Sequence, residues 1–243
     1  MKIAVIGQGN TGQYVAEVAR EKGHTVAEVF DVNRPLTEAT DLTGVTCIDF
    51  SVAGMVPEHV NLCAKWGNNI VIGTTGWYDH LDEVTAMVDE AGIGCLYAPN
   101  FSLGVNLFFR TLQHVSQLFG GQDYDITIHE EHHTRKADAP SGTALELGKI
   151  ALEGFRKKKE LLFGNPDGRI REDQLQITSG RIGDVFGNHT VTLEGASDTI
   201  RLSHSIKSRR IFAEGAVTAA EWLEGQRGVY TIHDLIDSLL EDR

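Results

Sequence analysis

The chain begins with an apolar run, Lys2-Ile3-Ala4-Val5-Ile6, that passes directly into Gly7-Gln8-Gly9-Asn10-Thr11-Gly12 and then into a helical pattern. Glycines at this spacing after a strand have separate tasks. The first permits a tight turn, the second lets backbone approach a pyrophosphate, and the third lets the helix pack closely on the strand. The helix start beside them carries N–H groups with no internal acceptor and the positive end of a dipole, which favours an anion. Val26 to Phe30 reads as the next strand, and Asp31 at its end falls nineteen residues after Gly12, placed to accept from ribose hydroxyls. Strand, glycines, helix, second strand and acid in this order predict dinucleotide binding and not an isolated turn. Asp31 repels a 2′-phosphate and Val32 is not basic, so NADH is favoured; Arg34 nearby leaves NADPH as the alternative.

Cys47 to Phe50, Ile70 to Ile72 and Ile93 to Tyr97 continue the alternation of strand and helix through the first hundred residues, which predicts βαβ units around a parallel sheet. Val15, Val18 and Ala19 share a helical face suited to packing on that sheet, and the helix is expected to end near Gly23. Two further loops, Gly73-Thr74-Thr75-Gly76 and Ala98-Pro99-Asn100-Phe101, follow strands of this sheet. Both lie where ligands of open α/β sheets bind, or are ordinary turns. From about Asn100 the pattern changes to a helix around Leu107 to Leu118, a strand at Tyr124 to Ile128, and strands around Gln176 to Ser179, His189 to Leu193 and Thr199 to His204, separated by turn residues. These predict a mixed or antiparallel sheet in a second domain. A helical tail follows, with Phe212, Ala216, Ala219, Ala220 and Leu223 on one face and a second helix ending near Leu240.

A formal net charge of -12 argues against nucleic acid, and an anionic substrate then needs a local positive pocket set against the global field. No apolar run approaches the roughly 20 residues of a membrane span, and the start is strand-like and unlike a signal peptide, so a cytoplasmic location is expected. Cys47, Cys63 and Cys95 are odd in number, lack paired metal spacing and sit in apolar surroundings, which predicts buried free thiols. Arg156-Lys157-Lys158-Lys159 reads as a solvated run complementing a helix C-terminus.

The chemistry concentrates between residues 129 and 143. His129-Glu130-Glu131-His132-His133 spells HExxH, but zinc ligation by that motif needs a helix, and Tyr124 to Ile128 alternates like a strand. In a strand, His129 and His133 stand about 13 Å apart at roughly 3.3 Å per residue, too far to share an ion. The segment therefore predicts no metal. Ser141-Gly142-Thr143 opens a helical pattern in which Leu145, Gly148 and Leu152 share a face and Thr143 and Glu146 have capping-box spacing. A substrate carboxylate can accept from the first N–H groups of that helix and from the hydroxyls of Ser141 and Thr143, with Lys136 as a matching charge. His132 or His133 is suited to donate a proton to a carbanion or enamine left by hydride addition. The opposing interpretation is two exposed histidines and a capped surface helix; a nucleotide-sensing regulator on the same scaffold is a second.

Glu131-His132-His133 through Lys136, followed by Asp138-Ala139-Pro140-Ser141-Gly142-Thr143-Ala144-Leu145, resembles the signature of the 4-hydroxy-tetrahydrodipicolinate reductase (dihydrodipicolinate reductase) family of lysine biosynthesis. The resemblance extends over essentially the whole chain, through Asp49-Phe50-Ser51, Gly73 to Gly76, Asn100-Phe101-Ser102 with Gly104-Val105-Asn106, Arg181-Ile182-Gly183-Asp184 with Gly187 and His189, and Phe212 to Ala216.

That resemblance implies an NAD(P)H-dependent oxidoreductase of the diaminopimelate pathway, acting on a small dicarboxylate. It makes His132 the proton donor, Lys136 a second catalytic residue, and His133, Gly142 and Thr143 the substrate site, to which the reading of the helix start adds Ser141. Cofactor contacts fall on Gly7, Gln8, Gly9, Asn10, Thr11, Gly12, Asp31, Gly73, Thr74, Thr75, Ala98, Pro99, Asn100 and Phe101. The implied fold is α/β: a Rossmann-type domain of residues 1–101 completed by helices in 212–243, and an α+β substrate domain of 102–211 whose mixed sheet builds a homotetramer. The glycine loop is shorter than the family's common GxGGxxG, and Val32 stands where a basic residue is frequent. Both departures bear on cofactor choice and not on the reaction.

Overall fold

The computed structural model describes residues 1–38 and 40–241. It contains two compact units, one of Met1–Asn106 with the C-terminal segment from Arg209, the other of Leu107–Ser208. In the first, β1 (Lys2–Ile6), β2 (Thr25–Phe30), β3 (Thr46–Asp49), β4 (Ile70–Ile72), β5 (Gly94–Tyr97) and β11 (Gly228–Thr231) form a six-stranded sheet in the order β2-β1-β3-β4-β5-β11. All neighbours are parallel. Its central strands are apolar along their length because helices cover both faces. Ile3, Val5, Ile48, Val71 and Leu96 pack toward α1 (Gly12–Glu21), α6 (Arg210–Trp222) and α7 (Ile232–Glu241). Their alternates Ala4, Ile6, Cys47, Ile70, Ile72 and Cys95 meet α2 (Val56–Trp66) and α3 (Leu81–Ala91). Val15, Val18 and Ala19 are buried on α1 as their spacing requires. The three cysteines are free and buried, and burial pushes the Cys95 thiol up to about 12. Strand β11 has no clear sequence signal, being four residues between two helices.

Order reverses between β1 and β3, and this switch point opens a crevice at the carboxyl ends of the strands. The loops lining it are tied across the strand ends: Gly7 N–H donates to the Phe30 carbonyl at 2.8 Å, Phe50 N–H to Ile6 at 2.8 Å, and Gly73 N–H to Asp49 at 2.8 Å.

The second unit holds a five-stranded mixed sheet in the order β10-β9-β6-β8-β7, with β7 (Glu160–Phe163), β8 (Gln174–Arg181), β9 (Gly187–Gly195) and β10 (Thr199–Ile206) around a central nine-residue β6 (Tyr124–His132). β6 runs antiparallel to β9 and parallel to β8. α4 (Leu103–Phe119) begins before the boundary between the units, and with α5 (Gly142–Gly154) it covers one face, burying Phe108, Leu112, Ala144, Leu147 and Ala151 on Ile126, Ile128, Ile177 and Val191. The buried face of α5 is Ala144, Leu147, Gly148 and Ala151, so the expected Leu145/Gly148/Leu152 stripe is corrected: Leu145 and Leu152 sit at its margins. Gly148 permits the close approach, since a Cβ there would come within 2.8 Å of Ile177 Cδ1.

The basic run also differs from expectation. α5 ends at Gly154, and Lys158 is buried, donating to the Glu172 carbonyl at 3.0 Å and the Gln174 carbonyl at 2.8 Å and pairing with Asp125 at 2.6 Å. It ties the starts of β6 and β8 together. Among the described residues no helix is long and apolar enough to cross a membrane.

Candidate active site

At the glycine loop the tight turn falls on Gly7 and the close helix packing on Gly12. Gly7 has φ of 100°, and a Cβ on it would meet the Phe50 carbonyl oxygen at 2.3 Å; a Cβ on Gly12 would lie 1.8 Å from the Gly7 carbonyl oxygen. Gly9 faces open space, with nothing within 4 Å of such an atom. Gln8, Gly9 and Asn10 are exposed, and the Thr11 side chain makes no capping bond at the start of α1. An open glycine before an uncapped helix start fits a pyrophosphate. Asp31 closes a turn at the end of β2, its Oδ1 accepting from the N–H groups of Asn33 at 2.8 Å and Arg34 at 3.0 Å, which leaves Oδ2 for a ribose. Arg34 is paired with Glu28 at 2.8 Å, and Val32 is 93% exposed.

The remaining cofactor-loop residues divide by exposure. Thr75, Pro99 and Asn100 lie at or near the surface, whereas Ala98 and Phe101 belong to the core. Gly73 leaves space for the Phe50 ring, whose Cε1 would stand 2.2 Å from a Cβ. Thr74 is turned inward, donating to Asp49 Oδ1 at 2.8 Å, so only its backbone can reach a ligand. Asp49 anchors this whole edge. Fully buried, it also accepts from Ser51 N–H at 2.8 Å and contacts His59 Nδ1 at 2.7 Å. Sequence reasoning missed His59, which pairs with Asp49 only because α2 folds back over β3.

In the second unit, strand periodicity organises the chemistry. Alternation along β6 puts Ile126, Ile128, Glu130 and His132 on the face beneath the helices and His129 on the other. His129 and His133 thus bracket a strand end, and the HExxH spelling has no helix to act on. Register places Ser179 of β8 and His189 of β9 on either side of Glu130, and Arg181 opposite His132. These neighbours surround a fully buried carboxylate. Glu130 Oε1 accepts from the Ser179 hydroxyl at 2.7 Å and from Ser141 N–H at 3.1 Å. Its Oε2 is 3.2 Å from Ser141 N, 3.4 Å from His132 Nδ1 and 3.7 Å from His189 Nε2. Burial pushes the Glu130 carboxyl up, but bonds from His189, Ser141 and Ser179 outweigh it and hold the group well below the usual carboxylate range. The His132 ring is pushed down to about 4, first by burial, with His189, Lys136 and Arg181 acting the same way and the Glu130 charge opposing.

Glu130, His132 and His189 keep one ligand atom each within 4.8 Å of one another, the spacing of a small cation site. The Glu130 oxygens, however, already accept from Ser141 and Ser179. The cluster is a hydrogen-bonded anion beneath a histidine.

The helix start differs from expectation at one residue. The N-cap is Ser141, whose Oγ accepts from Ala144 N–H at 3.2 Å and lies 3.2 Å from His189 Nε2; the Thr143/Glu146 box is not what caps it. The Ser141 N–H serves Glu130, so both polar groups of Ser141 are engaged within the protein. Gly142 and Thr143 remain, at the surface and half-buried, with N–H groups ahead of the first intrahelical bond from Leu145 to Ser141. Lys136 Nζ is bound by both Asp138 oxygens at 2.7 Å, and this pair holds the Asp138 carboxyl below its ordinary range. Arg181 braces the same loop, donating to the carbonyls of Asp138 at 2.6 Å and Lys136 at 3.3 Å. His133 is half-buried just past β6, its Nδ1 enclosed and, among the described residues, without a hydrogen-bond partner.

The chain is similar to known proteins along its whole length. Residues 1–101 match the family described as dihydrodipicolinate reductase, N-terminus, and residues 104–236 match dihydrodipicolinate reductase, C-terminus. A 4-hydroxy-tetrahydrodipicolinate reductase from Christiangramia forsetii is 36% identical over 243 residues, covering 100% of both chains. One from Methanosarcina mazei is 36% identical over 239 residues, covering 96% of this chain and 88% of its own. A dipicolinate-bound dihydrodipicolinate reductase from Paenisporosarcina sp. TG-14 superposes with a TM-score of 0.75 at 22% identity, over 95% of this chain and 97% of that one, a likeness of fold.

Proposed function

Because the chain belongs to the dihydrodipicolinate reductase family, we propose that it reduces 4-hydroxy-tetrahydrodipicolinate to tetrahydrodipicolinate in the diaminopimelate route to lysine. A bound reduced nicotinamide would supply the hydride, delivered to C4 of the ring as water is lost overall. The chain's own residues do the rest. Gly142 and Thr143 offer N–H groups at the positive end of α5 to a substrate carboxylate, Lys136 leaves Asp138 to pair with it, and His133 stands beside. His132 protonates the carbon next to C4, quenching the enamine that hydride addition leaves. A dianion arriving beside the buried ring adds the negative charge that favours its protonated form.

The observation that carries this reading is the single face on which Glu130, His132 and the start of α5 converge. Asp31 at the end of β2, the exposed Val32 and the Glu28-bound Arg34 support NADH as the favoured cofactor over NADPH. The outer face of the mixed sheet, carrying Thr127, His129, Gln176, Thr178, Thr190 and Ser203 away from the helices, supports a homotetramer assembled through it; the setting is cytoplasmic.

The test supplies freshly generated 4-hydroxy-tetrahydrodipicolinate and follows the absorbance of NADH and NADPH with and without chelator. Chelator-insensitive oxidation, faster with NADH, is expected. Cofactor binding without turnover would mean a nucleotide-sensing protein. His132→Ala with kcat within twofold of wild type would remove His132 as donor.

A further inference from the structure

The proton donor proposed above has an environment that its own function does not explain. His132 is 7% exposed, its Nδ1 is sealed from solvent, and among the described residues that atom has no aligned hydrogen-bond partner. Beside it, 3.4 Å away, is Glu130 Oε2. Glu130 Oε1 is saturated by Ser179 and Ser141, which pins the carboxylate and leaves Oε2 turned toward the two histidines. On the other side of the ring is Gly187, in β9, without a positive φ to require it. Its requirement is steric: a Cβ there would come within 3.0 Å of His132 Nε2 and 3.6 Å of His189 Cε1. The two ring nitrogens thus face a fixed anion and a missing side chain.

We propose that Glu130 is a positioning residue that holds His132 through Nδ1, and that Gly187 keeps the space beside Nε2 free, so that Nε2 is the atom that gives the proton. The inference rests on His132 being the donor. An acceptor at Oε2 keeps one hydrogen on Nδ1 throughout, and a carboxylate so placed fixes both tautomer and ring orientation. In turnover the Nε2–H bond breaks and its proton forms the new C–H bond next to C4. The ring stays neutral with Nδ1–H toward Glu130, and solvent returns a proton to Nε2. His189 stacks edge-on against His132 with centroids 5.3 Å apart and completes the wall. The charged and titratable groups facing the ring are Glu130 on its own strand, His189 on β9, Arg181 on β8 and Lys136 in the following loop; α5 contributes the uncharged Ser141. Among the described residues, Glu130 is the one anion in this set.

The experiment measures kcat, KM, cofactor affinity, Tm and the pH profile of kcat/KM for wild type, Glu130→Gln, Gly187→Ala and His132→Asn. Glu130→Gln keeps an oxygen for Ser141 and Ser179 but replaces the anion at Oε2. Its kcat is expected to fall by at least about tenfold, within the roughly 10²–10⁴ that a general acid contributes. NADH affinity stays within twofold, and the alkaline limb of the profile, where the ring loses the proton it must donate, moves to lower pH because the Glu130 charge that favours the imidazolium is gone. Glu130→Gln at wild-type kcat, or with reduced Tm and kcat but an unmoved alkaline limb, overturns the proposal, the latter showing a merely structural role. If Glu130→Gln does not fold, Gly187→Ala decides, since it leaves the carboxylate in place: reduced kcat is expected and wild-type kcat overturns. His132→Asn separates the two levels, for an active variant removes the donor itself, whereas an inactive one beside a fully active Glu130→Gln removes only the positioning role.

Discussion

Lowering the pH from 7 to 4.5 is expected to destabilise the protein through one ring. His132 ordinarily titrates near 6.5 and is pushed down to about 4 in the fold, chiefly by burial. Between these values the unfolded chain binds a proton that the folded chain refuses, so stability rises with pH across the window and is lost as pH falls through it. At 1.36 kcal/mol per unit, and with the window nearly crossed by pH 4.5, the loss attributable to His132 is about 2 kcal/mol. Glu130 acts in the same direction, its carboxyl being held below the ordinary 4.5, but its contribution is lost mainly below that value and adds little here. For a chain of this size about 2 kcal/mol corresponds to roughly 4–8 °C in Tm. The assay is thermal unfolding of wild type and His132→Gln at both pH values. Wild type should lose that much more Tm than the variant over the interval. Equal losses in the two proteins would refute the assignment of this acid sensitivity to the buried neutral ring.

Adding a methyl group at two glycines separates fold from cofactor binding. Gly12→Ala drives a Cβ onto the Gly7 carbonyl and should lower both Tm and NADH affinity, whereas Gly9→Ala meets open space and should leave Tm unchanged while weakening NADH by at least about tenfold, the equivalent of 1.4 kcal/mol. Asp138→Asn removes the exposed anion that holds Lys136 and should lower KM for the dicarboxylate by about 1.5- to 5-fold, the worth of an exposed pair, while Lys136→Ala lowers kcat/KM and leaves NADH affinity within twofold. Steady-state kinetics with both ligands varied reads all four; a raised KM in Asp138→Asn contradicts the competition. Lys158→Met leaves two strand-start carbonyls without their buried donor and should cost about 2–4 kcal/mol, seen as a lower urea midpoint with unchanged kcat at low temperature.

Where chemistry is local, it was legible in the chain. A tight turn and a close helix each demand glycine within a few residues of one another, and Gly7 and Gly12 meet those demands in the fold, with Gly9 open between them. The strand alternation that excluded a helical HExxH is equally local, and it also puts Glu130 on the His132 face, a signal available from period two alone. Capping was misread because Ser141 and Thr143 are both good caps, and choosing between them depends on Glu130 arriving from eleven residues upstream. Lys158 was misread because a basic run looks solvated until one member is enclosed by strand starts from elsewhere in the chain.

Residue types and spacing thus determined that a strand–glycine turn–helix unit and a histidine-lysine-helix segment would exist, since each depends on backbone geometry over a dozen residues. Only the tertiary structure decided what surrounds them. Ser179 and His189 reach Glu130 through the register of β8 and β9, forty-nine and fifty-nine positions along the chain, and Gly187 reaches the same ring by that register. Hydrogen-bonded pairing sets such register by matching whole strands, a one-residue slip would turn each of these side chains to the opposite face, and no short window of sequence carries that information.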